Sequence, residues 1–170
     1  MSKTLPHVKK QSYGRLLGAM LGALLAFGMS AAKADTNDFQ PSPELSPEHV
    51  VKIVIEALRS NDPTKQDNGI ATVFEFASPG NRSNTGPLER FTRMIKLGFP
   101  DMLNHSAARY DPMEITGDTA VQAVWLLTPS GQEVGYAFQM GKQQGGEYND
   151  MWMTEAVVPL GPGSQSGTRI

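Results

Sequence analysis

The apolar residues of this chain change their spacing once, near residue 105, and that change constrains the fold more than any other feature. Before it, apolar residues recur at three- and four-residue steps, the period of a helix with one buried face; after it they alternate, the period of a half-buried strand. The spacing predicts a first helix opening at Ser46 as N-cap, with Pro47 in the first helical position and Glu48 near the positive end of the dipole. Val50, Val51, Val54, Ala57 and Leu58 form its inward stripe, and Asn61-Asp62-Pro63 stops it. A second helix is expected over 68–77, carrying Ile70, Val73, Phe74 and Phe76. Residues 78–86 are dense in turn formers and read as a connection. A third helix is expected from Pro87, with Gly86 as its N-cap, Leu88, Phe91, Met94, Ile95 and Leu97 inward, and Gly98-Phe99-Pro100 as its end.

Four strands are expected after the change of period, over 109–115, 119–128, 133–141 and 151–159. Thr116-Gly117-Asp118 and Pro129-Ser130-Gly131 suit compact hairpin connections, and Gln144-Gly145-Gly146 opens a looser one. The third strand sets Val134, Tyr136, Phe138 and Met140 on one face and the smaller Gly135, Ala137, Gln139 and Gly141 on the other, where a close-packed helix or a sharp bend would fit. Three helices followed by an antiparallel meander predict an α+β layer structure with the helices on one face of a curved sheet.

The first 34 residues have the layout of an export signal: basic Lys3, Lys9, Lys10 and Arg15, an apolar stretch over 16–29, then Ala32-Lys33-Ala34. The apolar stretch is short beside the roughly 20 residues of a membrane span. Cleavage is expected near Ala34, giving a periplasmic or secreted protein with no stable membrane insertion, a flexible linker over 35–46, one domain over 47–160 and a disordered tail over 161–170. Five bases (Lys3, Lys9, Lys10, Arg15, Lys33) leave with the signal, so 15 basic residues become 10 against 17 acidic ones, net −7. A surface of that sign repels nucleic acid, which excludes that partner class. The chain has no cysteine, so neither disulfides nor thiolate chemistry hold or drive it. Only His49 and His105 remain in the mature chain, without a ligand spacing, so no metal and no cofactor is expected.

The segment 74–91, FEFASPGNRSNTGPLERF, carries the pattern F-A-S-P-x-N-R-x-x-T-G-P-L-x-R-F in Phe76, Ala77, Ser78, Pro79, Asn81, Arg82, Thr85, Gly86, Pro87, Leu88, Arg90 and Phe91. This resembles the signature of an uncharacterised family of bacterial and plastid proteins, a domain of unknown function. Ala57-Leu58, Asn61-Asp62, Gly69-Ile70, Leu103-Asn104-His105, Gly135-Tyr136, Gln143 and Trp152-Met153-Thr154 resemble its other landmarks, across about residues 46–158. Met151 departs from the pattern, which has a small residue or cysteine before the Trp, so no thiol acts there. The resemblance implies an NTF2-like or cystatin-like α+β fold and leaves a homodimer through the sheet open. It implies no activity.

Ser78, Asn81, Arg82 and Thr85 gather polar groups ahead of a helix N-terminus, an arrangement that suits an anion, with Arg82 adding a guanidinium. The same residues also suit self-satisfaction: Ser78 and Asn81 as caps, Arg82 paired with Glu75 or Glu89. Tyr136 and Trp152 are candidates for a pocket wall, or for sheet core. His105 is the candidate general base, because imidazole titrates near working pH. The first expectation is a non-catalytic domain holding a small ligand, an anion among the candidates, between helices and sheet through Ser78, Asn81, Arg82, Thr85, Tyr136 and Trp152. A protein-interaction or assembly factor and a lyase- or isomerase-type enzyme using His105 are the alternatives.

Overall fold

The computed structural model describes residues 40–161; the expected signal segment, residues 35–39 of the expected linker, and the tail beyond Gly161 lie outside the described residues. The described chain is α+β, with four α-helices followed by a five-stranded antiparallel sheet. Helix α1 spans Pro47–Arg59, α2 Asn68–Glu75, α3 Pro79–Thr85 and α4 Leu88–Gly98; short 3-10 turns follow α1 at Pro63–Lys65 and α4 at Pro100–Met102. The strands are β1 Ala107–Tyr110, β2 Glu114–Thr116, β3 Thr119–Leu127, β4 Glu133–Lys142 and β5 Trp152–Leu160.

Local chemistry sets the first helix as expected. The Ser46 hydroxyl accepts from His49 N at 3.3 Å, and Val50, Val51, Val54, Ile55 and Leu58 are buried. Asn61 then does more than stop the chain. Its side chain is buried; Oδ1 accepts from Ile70 N at 3.2 Å and Nδ2 donates to Asp67 at 3.1 Å, so it ties the end of α1 to the start of α2.

Two expectations are corrected. Residues 78–86 are not simply a turn: Ser78 caps a helix of two turns, α3, with Pro79 at its first position, and Gly86 closes it. Gly86 is therefore the C-cap of α3 rather than the N-cap of the next helix, which Pro87 precedes. Turn-forming residues are also cap-forming residues, and composition alone did not separate the two uses. The strand expected over 109–115 is two strands, β1 and β2, both pairing with β3 along the same edge. Pro112, which has no amide hydrogen to give to the ladder, lies in the gap between them.

The sheet order is β1-β3-β4-β5, with β2 beyond β1 on β3. Val124, Leu126, Tyr136, Phe138 and Met140 bury one face against Val50, Val54, Leu58, Ile70, Phe76, Phe91 and Ile95 of the helical layer. The small-residue face of β4 meets side chains of its neighbouring strands. A Cβ on Gly135 would come within 2.6 Å of the Trp125 ring, and one on Gly141 within 2.7 Å of the Glu155 carboxylate. Trp125 in turn donates from Nε1 to Asp111 at 2.9 Å. Pairing of β4 with β5 slips once: Met140 faces Thr154 and Gln139 faces Ala156, which leaves Glu155 as the extra residue of a bulge.

Candidate functional site

The site begins where α2 ends. Phe76–Ser78 lies beside β5, with Thr154 N donating to Phe76 O at 2.8 Å and Ser78 N donating to Thr154 O at 3.0 Å, a single parallel rung between Ala77 and Thr154. That rung fixes the start of α3 against the outer edge of β5. The Ser78 hydroxyl, fully buried, accepts from Asn81 N at 3.1 Å and donates to Glu155 Oε2 at 2.7 Å. Asn81 Nδ2 donates to the same Thr154 carbonyl at 3.1 Å, and Thr85 Oγ1 donates back to Asn81 O at 2.9 Å. The bulge is what brings the Glu155 carboxylate to Ser78, and Gln143 Nε2 donates to its other oxygen at 2.8 Å.

Arg82 is committed inside the protein. Nε donates to Ala77 O at 2.9 Å, Nη2 to Glu75 O at 2.5 Å and Nη1 to the Tyr148 hydroxyl at 3.1 Å. Its guanidinium carbon lies 5.3 Å from the Phe74 ring centre and 5.2 Å from that of Tyr148. The planar fork thus caps the last carbonyls of α2 and clamps the β4–β5 connection onto it. Glu75, one of the two expected acid partners, is the one beside it, at 3.8 Å.

Next to this polar seam the helical layer and the sheet leave a cavity of about 240 Å³. Leu58, Val73, Phe91, Ile95, Phe138 and Val157 are among its apolar walls; Asn81, Asn84, Thr85, Thr154 and Glu155 supply the polar ones. No Lys, Arg or His among the described residues lines it. Among the residues expected at a ligand site, the fold brings Asn81 and Thr85 to this cavity and leaves Ser78, Arg82, Tyr136 and Trp152 out of its wall. Tyr136 is buried with its ring 6.1 Å from Phe99; burial, and then the Asp101 carboxylate, push its hydroxyl pKa upward. It borders a more open recess of about 570 Å³ whose walls are largely exposed, Asp101, Gln132 and Glu133 among them. Trp152 is partly buried against the core.

His105 does not line the cavity either. It is 2 % exposed, its Nδ1 is 2.9 Å from Met102 O, and its Nε2 has no partner among the described residues. This is the position of a core imidazole.

Thr154 and Glu155 were not legible as site residues. Strand alternation places Thr154 on a face, but only the bulge, which breaks that alternation, puts Glu155 against Ser78. Among the described residues no group of three or more His, Asp or Glu side chains could hold a metal ion, and no helix is long and apolar enough to cross a membrane. Neither a curated protein nor a solved structure matches this chain. A family model described as a domain of unknown function, DUF4864, matches residues 44–160, and the chain belongs to that family.

Proposed function

We propose that this domain is a non-catalytic binder of a small, uncharged, largely apolar molecule, held between the helical layer and β5. The carrying observation is the cavity itself: about 240 Å³, walled by residues of all four helices and of β4 and β5. Close packing fills most of a domain's interior, so a partly open, apolar-lined cavity of this size is space available to a ligand. An engineered apolar cavity of ~150 Å³ already takes a benzene, and ~300 Å³ is the lower end for drug-sized ligands.

The wall chemistry moves the reading away from an anion. Arg82, the expected guanidinium, spends its donors on Ala77, Glu75 and Tyr148. Among the described residues the one charged residue of the wall is Glu155. Helices gathered on one sheet face support the NTF2-like or cystatin-like layer arrangement as the setting for such a cavity. Binding takes place after export, by the mature chain from residue 35, and an N-terminus other than Asp35 on the protein recovered from cells would remove that part of the proposal.

Toluene tests the cavity. It should raise the unfolding temperature of the wild-type domain and have no effect on Met94→Trp, whose added ring would occupy the space. No stabilisation of the wild type, or equal stabilisation of both, would overturn the reading. A partner-protein reading draws on Val121, Leu127 and Val158, which are exposed on the strands. Light scattering tests its simplest form, a homodimer: a dimer dispersed by Val121→Lys would favour it, and a wild-type monomer would count against it.

A further inference from the structure

The cavity wall holds one buried hydroxyl whose hydrogen-bonding capacity the protein barely uses. Thr154 is 2 % exposed and sits in the cavity wall. Its cross-strand partner is Met140, on the helix side of the sheet, and among the described residues the only partner of its Oγ1 is the Met140 sulfur at 3.8 Å. A thioether is a weak acceptor, so the hydroxyl keeps both lone pairs and most of its donor strength free. Its backbone is fully engaged, with N–H given to Phe76 and C=O shared by Ser78 and Asn81, so the side chain is not needed to hold the rung together. A valine of nearly the same shape would satisfy packing at this position, and leaving a buried polar group underused costs free energy.

The rest of the wall narrows the ligand. Phe91, Phe99 and Phe138 present aromatic surface from α4, the turn after it, and β4. At roughly 30 Å³ per liquid water, a cavity of this size has room for about eight non-hydrogen atoms. No cation among the described residues lines the wall to balance a carboxylate or phosphate, and Asn81, Asn84 and Thr85 are neutral. We propose that the ligand is an uncharged aromatic alcohol of the phenol class, its ring among the phenylalanines and its hydroxyl exchanging a hydrogen bond with Thr154 Oγ1. The inference rests on the cavity reading above and specifies the ligand class for the same site.

Three probes of one shape, titrated by protein-observed NMR, separate the two layers of the argument: p-cresol, toluene and p-toluate. One hydrogen bond inside an apolar site is worth about a five-fold preference. The wild type should therefore bind p-cresol about five-fold more tightly than toluene, and p-toluate least of all, because nothing balances its charge. In Thr154→Val, p-cresol should fall to the affinity of toluene while toluene binds at least as well as before. If toluene binds and p-cresol gains nothing over it, or if p-cresol keeps its advantage in Thr154→Val, the phenol assignment is wrong and the cavity reading stands. If p-toluate binds best, the ligand is an anion and the assignment is overturned. If no probe binds, both fall together. The fold of Thr154→Val is checked by its amide spectrum, and Thr154→Ser, which keeps the hydroxyl, should retain the p-cresol preference.

Discussion

Gly69 is the residue whose substitution the structure prices most directly. It is buried at the second position of α2, and a Cβ there would lie 2.1 Å from the Ala57 carbonyl oxygen and 3.0 Å from Asn61 Cα. Both atoms are backbone, so no side chain can swing away; the 2.1 Å approach is more than ~1 Å short of an ordinary contact, and even a ~1 Å gap between α1 and α2 forfeits a quarter to a half of each dispersion well it opens. Overpacking of a core costs about 1–3 kcal/mol, and an obstacle made of backbone belongs at the upper end. Against that stands up to ~1 kcal/mol gained by replacing glycine with alanine in a helix. Gly69→Ala should therefore lose about 2 kcal/mol, a fall of roughly 8 °C in unfolding temperature for a domain of this size. Gly98→Ala is the control: it lies at the end of α4 with nothing within 4 Å of its Cβ, so only the helix-propensity gain remains. Thermal unfolding followed by far-UV circular dichroism compares the two. A Gly69→Ala protein as stable as Gly98→Ala would refute the argument that α1 and α2 meet through this glycine.

Two further perturbations test other joints. Arg82→Lys keeps the charge but not the fork, leaving the Glu75 and Ala77 carbonyls without their donor; the loss should be about 2 kcal/mol, read as a drop in urea midpoint. An unchanged midpoint would mean the clamp on α2 carries no stability. Asp67, held by Lys96 at 2.7 Å and by Asn61, has its carboxyl pKa lowered by those two hydrogen bonds in that order. A depressed folded-state pKa gives stability present above the unfolded value near 4 and lost as pH falls through the folded one. Asp67→Asn should therefore be less stable than wild type at neutral pH, by about 0.5–1 kcal/mol because Lys96 is largely exposed, with the difference closing in acid. A gap that persists at the acid end would show that charge is not its source.

The α+β class, the order of helices before strands and the first helix with its Ser46 cap are legible along the chain, because these depend on residue spacing and on local capping chemistry. The sequence also placed the β3–β4–β5 meander to within a residue or two of each end. It did not reveal α3, because serine, proline, glycine and asparagine serve turns and helix caps alike. It did not reveal the break between β1 and β2, where the register on β3 slips by one residue around Pro112, because such a slip depends on the partner strand. The site was legible only in part. Asn81 and Thr85 reach the cavity as expected, but Arg82 turns away to carbonyls of its own neighbourhood, a choice made by the placement of Phe74, Glu75 and Tyr148 around it. Thr154 and Glu155 enter through the bulge in β5 and its rung with Ala77, which join residues some 77 positions apart. Such contacts depend on register and on how layers pack, and periodicity read along the chain carries neither. The tertiary structure alone therefore decided that the polar segment is a seam and that the space beside it is apolar.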